Sequence, residues 1–278
     1  ERGRNMKQKT EGNYGLTRIA KVFAWVFTLY IILPLFFLIL FSFSGTLDAI
    51  PKELTLKWYT HNPETMIVSL INTLAISLPA TGLGVLVALP LAYSVARMDF
   101  KGKRIIDQLI VLPSIIPGTV LGLIFLQIAN SSVFSGISRY MIVIVAHTVI
   151  TVPVIARPII GALEQNGISA EEAATTLGGK PLYVFRTITF PIISSSMLVG
   201  MMFGFARSIT DFIMTLFIVP AGMVPMAIQI YNSTSLSAQQ ITAANATVLL
   251  IFTILVVSIA EIIMRRNNRG YSLRKRQP

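Results

Sequence analysis

Cysteine is missing from the chain, which rules out a disulfide framework and any thiolate metal site. Histidine is nearly missing: His61 and His147 are the only two, too few for a histidine-based metal centre. Charged residues occupy 13% of the 278 positions against 54% hydrophobic ones, too few to cover a soluble surface. No G-x-x-x-x-G-K-[ST] stretch occurs, so the chain does not bind and hydrolyse ATP by itself in the usual way. An intramembrane protease would want H-E-x-x-H, paired aspartates or a Ser/His pair, and no such motif surrounds His147 in the sequence. His147 is followed by Thr148 and Val149, and Asp211 has no intramembrane aspartate partner. A non-catalytic chain with no bound cofactor is expected.

What is present is apolar length. A mean hydropathy of +0.71, spread over several long runs, reads as a polytopic membrane protein. Windows near twenty residues give about six candidate spans: Val22 to Phe43, Ile67 to Val95, Leu109 to Ile128, Met141 to Ile160, Ile192 to Ile218 and Thr242 to Met264. With no water in the bilayer core each span must satisfy its own backbone, so an all-α fold is expected. Pro34, Pro79, Pro90, Pro113, Pro117 and Pro153 then read as kinks or helix ends.

The net charge of +11 would suggest nucleic acid in a soluble protein, but here its distribution sets orientation. Arg2, Arg4, Lys7, Lys9, Arg18 and Lys21 precede the first span, Arg97, Lys101, Lys103 and Arg104 follow the second, and Arg265 to Arg276 supply six more after the last. All fall on one side of a six-span arrangement. The opposite side holds Lys52, Lys57 and Arg139, and the stretch from Val219 to Ile241 holds no Lys or Arg. The bias predicts both termini in the cytoplasm, with a tail over 1–21, the spans over 22–264 and a basic tail over 265–278. The first ten residues read as a disordered tail, and no cleavable leader is read, because the first apolar run continues into PLFFLILFSFS without a small-residue cleavage pattern.

Between the fourth and fifth spans, at about 162–191, lies GISAEEAATTLGG. Ser169 and Glu172 have capping-box spacing, so a short helix is expected to start there. Ala170, Ala173, Ala174 and Leu177 recur at i, i+3, i+4 and i+7 and give it a small apolar face, suited to close approach by another protein. Gly178 and Gly179 end it, and Pro181 suits the first turn of a second helix.

Glu172, Ala173, Ala174, Gly178, Ile188, Phe190 and Pro191 reproduce the spacing E-A-A, x3, G, x9, I, x, L-P, with Phe190 where leucine is usual. The stretch resembles the EAA loop of permease subunits in type I ATP-binding cassette importers. SLINTLAIS, LAYSVARMDFKGKR and LPSIIPGTVLGLIF extend the resemblance over nearly the whole chain. It implies that the loop docks into a cleft on a cytoplasmic ATPase dimer, which binds ATP and magnesium. Glu172 would bear the charged contact, Gly178 the turn and the small residues the fit, with Ile188 and Pro191 completing the signature. Further implied partners are a sister permease, a heterodimer being expected, an extracytoplasmic substrate-binding protein and membrane lipid, with no nucleic acid. A secondary transporter working alone is the alternative, but it would show inverted repeats or several buried ionisable groups.

A second constellation is RSITDF. Arg207 and Asp211 at i and i+4 are expected on one face of the fifth span, Asp211 about 28 Å along it, where unpaired charge is costly. They read either as lining of the translocation path or as a structural salt bridge. Asn72, Thr73 and Ser208 are further pathway candidates; His147, Thr210 and Asn245 are polar residues of the same kind, though interhelical hydrogen bonding is their commoner use. Asp107 and Glu261 read as interfacial charges near Arg104 and Arg265. Gly82, Gly84, Gly118, Gly122, Gly200 and Gly204 are expected at close helix contacts. The run from Asp211 to Ser235 looks most like the polyamine-importing branch, spermidine or putrescine being the expected substrate, with ferric iron and phosphonate importers as close relatives.

Overall fold

The computed structural model describes residues 2–46, 53–236 and 239–274. Lys52 and the residues from Lys275 onward, which entered the charge argument, lie outside the described residues. The chain forms two compact units, residues 1–62 with 233–247 and residues 63–232 with 248–278.

In the first unit α1 (Arg2–Ser42) begins at Arg2, so the stretch expected as a disordered tail is helical. Its apolar part, Ala20–Ser42, is long enough to cross a bilayer. After it Ser44 and Leu54 form one antiparallel bridge, and α2 (Lys57–Thr60) follows. The Trp58 indole donates to the Ser44 carbonyl at 2.7 Å and the Tyr59 hydroxyl meets Ser42 Oγ at 2.6 Å, closing the turn.

The second unit is built on α3 (Pro63–Arg97), a helix of 35 residues that keeps Pro79 and Pro90 inside it. Next come α4 (Lys103–Ile115) and α5 (Gly118–Asn130), which meet at 99°. The expected third span is therefore two helices. Pro117 forces Ile116 to extended backbone, ψ 130°, and the helix stops there. Then α6 (Arg139–Asn166) starts at Ser138, whose side chain accepts from the Met141 amide. It is followed by α7 (Ser169–Thr176), α8 (Pro181–Val184), a π-type turn at Phe185–Thr189 and α9 (Phe190–Ile209).

The expected fifth span also breaks. α9 stops at Ile209, and the chain turns through Asp211 before α10 (Ile213–Ile218). The Asp211 carboxylate accepts from the Thr215 amide at 3.2 Å, taking a donor that a continuing helix would use. α11 (Met226–Leu236) and α12 (Gln239–Arg274) complete the chain.

α6 is the axis of this unit. Ile155, Ile159 and Leu163 pack against Ala88 and Ala92 of α3 and Ile193 of α9, while Val143 and Ile150 pack against Ile76, Phe125 and the buried Met214 of α10. Apolar side chains such as Leu86 and Ile115 are left exposed, and for helices of this kind in a bilayer association depends on close packing rather than on burial from water. A Cβ placed on Gly200 would stand 2.9 Å from the Ile155 carbonyl oxygen, which fixes glycine at that crossing. A Cβ on Gly84, Gly122 or Gly204 would be comparably tight, one on Gly118 would make ordinary contacts and one on Gly82 would meet nothing within 4 Å, against expectation for the last. Among the described residues five helices are long and apolar enough to span a membrane, or six if the bent α4–α5 pair is one span.

Candidate functional site

The turn between α6 and α9 begins at Gly167, φ +60°, the residue after the last turn of α6. The expected capping box does not form. Ile168 occupies the cap position, without a side-chain hydrogen bond, and Ser169 is already helical. α7 is held instead by a tertiary pair. Glu171 is buried and accepts from Arg97 of α3, Nε to Oε2 at 3.1 Å and Nη2 to Oε1 at 3.3 Å. Glu172, one residue on and about 100° around the helix, is exposed. The two adjacent carboxylates thus have different surroundings, one internal and one presented outward.

The end of α7 is set by its glycines. The Gly178 amide donates to the Thr175 carbonyl and the Gly179 amide to the Ala174 carbonyl, both at 2.9 Å. Gly178 takes φ +86°, the left-handed region that disfavours a Cβ. Pro181 then sits in the first turn of α8, where its missing amide hydrogen costs nothing. The outward surface comprises Glu172, Ala173, Gly178, Leu177 at 89% exposure and Leu182 at 78%. Ala174 is half-buried, as are Ile188 in the π-type turn and Pro191 at the start of α9. Beside them an open groove of about 620 Å³ is lined by Glu172, Thr176, Pro181, Val184 and Tyr93. A second open groove, about 650 Å³, lies against Phe100, Lys103, Arg104 and Glu164. Asp107 on its wall pairs with Arg157 of α6, 2.8 Å, rather than with Arg104.

The other candidates gather around α10. Arg207 Nη1 lies 3.0 Å from Asp211 Oδ1, the arginine side chain 43% exposed and the carboxylate 5%. Asp211 Oδ2 also accepts from Thr215 Oγ1 at 3.1 Å. Thr215 meets His147 Nε2 at 2.9 Å, His147 Nδ1 meets Ser208 Oγ at 2.8 Å, and Ser208 meets Ser77 Oγ at 3.0 Å. One polar chain therefore ties α3, α6, α9 and α10. Thr73 accepts from the Met226 amide at 2.8 Å and Asn72 donates to the Val224 carbonyl at 3.3 Å, so both hold the segment leading into α11. The void among Thr73, Ser77, His147, Ser208 and Asp211 is about 10 Å³, no larger than a water needs. In this conformation it admits no solute.

Sequence reasoning gave no site role to Glu171, Arg157, Thr215 or Ser77, and used Arg97 only for orientation. An arginine ending a long apolar helix and an extra glutamate before E-A-A were the only signals for Arg97 and Glu171. Among the described residues no group of three or more His, Asp or Glu side chains is poised for a metal ion.

Residues 80–271 match the family model described as binding-protein-dependent transport system inner membrane component. Over 216 residues the chain is 30% identical to the molybdenum transport system permease protein ModB of Haemophilus influenzae, covering 70% of this chain and 94% of that protein. It is 23% identical over 256 residues to the spermidine/putrescine transport system permease protein PotC of the same organism, covering 90% of this chain and 98% of that one. Its fold is similar to a chain of the bacterial alginate ABC transporter in complex with alginate pentasaccharide-bound periplasmic protein. The TM-score is 0.69 at 14% identity, over 95% of this chain and 97% of that one.

Proposed function

We propose a specific role for this chain, which belongs to the family of binding-protein-dependent transport system inner membrane components, the permeases of ABC importers. It forms half of a translocation pathway, pairs with a sister permease, and is driven by a separate ATPase that docks on the α7 turn. A substrate-binding protein delivers the solute from the other side. The observation that carries the reading is the outward face of α7, where Glu172 and Ala173 stand exposed beside a glycine turn with φ +86°. A small face with one carboxylate at its edge suits a cleft in a partner and has no use inside this chain. The charge bias that predicts cytoplasmic termini puts α7 on that side as well.

The test is reconstitution in liposomes with the ATPase and the sister permease. Ala173→Arg should weaken ATPase binding at least tenfold, about 1.4 kcal/mol, and abolish ATP-driven uptake while membrane insertion stays normal. Uptake by the permease alone under an ion gradient would instead make it a secondary transporter.

For the substrate, a polyamine such as spermidine or putrescine is the first reading. The run from Asp211 to Ser235 supports it, and the likeness to PotC extends over nearly all of both chains. A compact oxyanion is the second reading, favoured by one observation. Both Asp211 oxygens are engaged within the chain, whereas the Arg207 guanidinium keeps an exposed edge. Native mass spectrometry of the separate binding protein with spermidine, molybdate and sulfate separates the two.

A further inference from the structure

We infer that Arg97 and Glu171 form a bracket that makes α7 move with α3, so that α3 carries the docking event across the membrane; this rests on the coupling role proposed above. Three observations converge on the end of α3. Arg97, its last residue, binds Glu171 through two guanidinium nitrogens, and its Nη2 also donates to the Gly167 carbonyl that closes α6. Both side chains are nearly out of solvent, 5% and 8% exposed. One turn earlier, Tyr93 of α3 packs edge-on against Phe185, 5.9 Å between centroids at 80°, in the segment after the glycine turn. α3 therefore grips both arms of the loop, one by charge and one by an aromatic contact.

A bidentate fork resists rotation as well as separation, which a single lysine contact does not. A pair that only stabilised α7 could be replaced by apolar packing at little loss, as buried ion pairs often can. Here the guanidinium joins three elements, and the helix it ends continues for 35 residues, about 50 Å. Near its other end Thr73 and Asn72 hold the segment before α11. A displacement of α7 is thus delivered along α3 to that segment, in addition to the directly connected α6 and α9.

The experiment uses the full complex in nanodiscs with the ATPase. Because the chain has no cysteine, bimane on Ile67→Cys, an exposed position in the first turns of α3, reports motion at the far end. In Glu171→Gln the ATPase should bind within threefold of wild type, while the ATP-driven bimane change falls at least fivefold. Amide exchange over residues 170–177 should rise at least tenfold. Arg97→Lys, which keeps the charge without the fork, should fall between. A full bimane response in Glu171→Gln, or unchanged exchange over 170–177, overturns the bracket. A parallel tenfold loss of ATPase binding also overturns it, since it would make Glu171 a docking residue. Failure of the wild-type complex to bind ATPase would instead sink the coupling role on which the inference stands.

Discussion

Arg207 and Asp211 meet across a break in the chain: Nη1 of an arginine in the last turn of α9 lies 3.0 Å from Oδ1 of a carboxylate that α9 does not contain. The pair is unequal. Asp211 is buried and also receives the Thr215 amide and hydroxyl, while Arg207 reaches its surroundings with 43% of its side chain. Arg207→Ala leaves a buried carboxylate without its counter-charge, at a cost on the order of 2 kcal/mol, and should lower the melting temperature more than Asp211→Asn does. The charge swap Arg207→Asp with Asp211→Arg should not restore stability, because an arginine at 211 cannot accept from Thr215. Recovery of the wild-type melting temperature in the swap would show that the helix break does not depend on the carboxylate.

His147 is the middle of the polar chain, and its hydrogen-bond partners are the hydroxyls of Ser208 and Thr215. His147→Phe fills similar space and removes one hydrogen bond from each hydroxyl, leaving Ser208 with Ser77 and Thr215 with Asp211, in a site where the residue is 2% exposed. The expected loss is about 1–2 kcal/mol, with His147→Gln costing less because it can meet one of the two. Thermal unfolding in detergent, read by intrinsic fluorescence, decides this. Equal stability of both variants would mean that the chain of hydrogen bonds does not hold α9 and α10 to α6.

The apolar windows located the spans because the bilayer demands about twenty residues and the backbone demands a helix. The interruptions were legible only in part, Pro117 being one of six prolines read as kinks or helix ends. Pro34, Pro79, Pro90 and Pro153 all remain inside helices, so proline alone did not single out Pro117 as the one beside a 99° bend. The break at Asp211 depends on a carboxylate choosing a backbone amide four residues on, a local competition that helical periodicity does not register. The α7 turn was readable from its glycines and proline, and Glu172 was read as the outward carboxylate, whereas the internal role of Glu171 was not legible. Their difference is set by Arg97, which is 74 residues away in sequence.

Orientation is open to a direct test. The bias of Lys and Arg predicts Leu177 in the cytoplasm and Val133 outside, and both are well exposed at 89% and 81%. In the cysteine-free background, Leu177→Cys should react with a membrane-impermeant maleimide only in inside-out vesicles and Val133→Cys only in right-side-out cells. The reverse pattern would place the α7 turn on the wrong side for a cytoplasmic ATPase.

Gly178 separates conformation from contact at the α7 turn. A Cβ there meets nothing within 4 Å, so space is not what excludes a side chain; the backbone angle of φ +86° is. Holding an ordinary residue in the left-handed region costs about 1–2 kcal/mol, more for a β-branched one, and asparagine is among the few that tolerate it. The expected order of ATPase affinity is therefore glycine, then Gly178→Asn, then Gly178→Ala, with Gly178→Val weakest at about 5–30-fold below wild type. A role in contact predicts a different order, because asparagine is larger than alanine and would intrude more on the partner. Measuring ATPase binding to the four proteins in nanodiscs distinguishes them: alanine binding better than asparagine would mean that Gly178 is fixed by the docking surface and not by the turn.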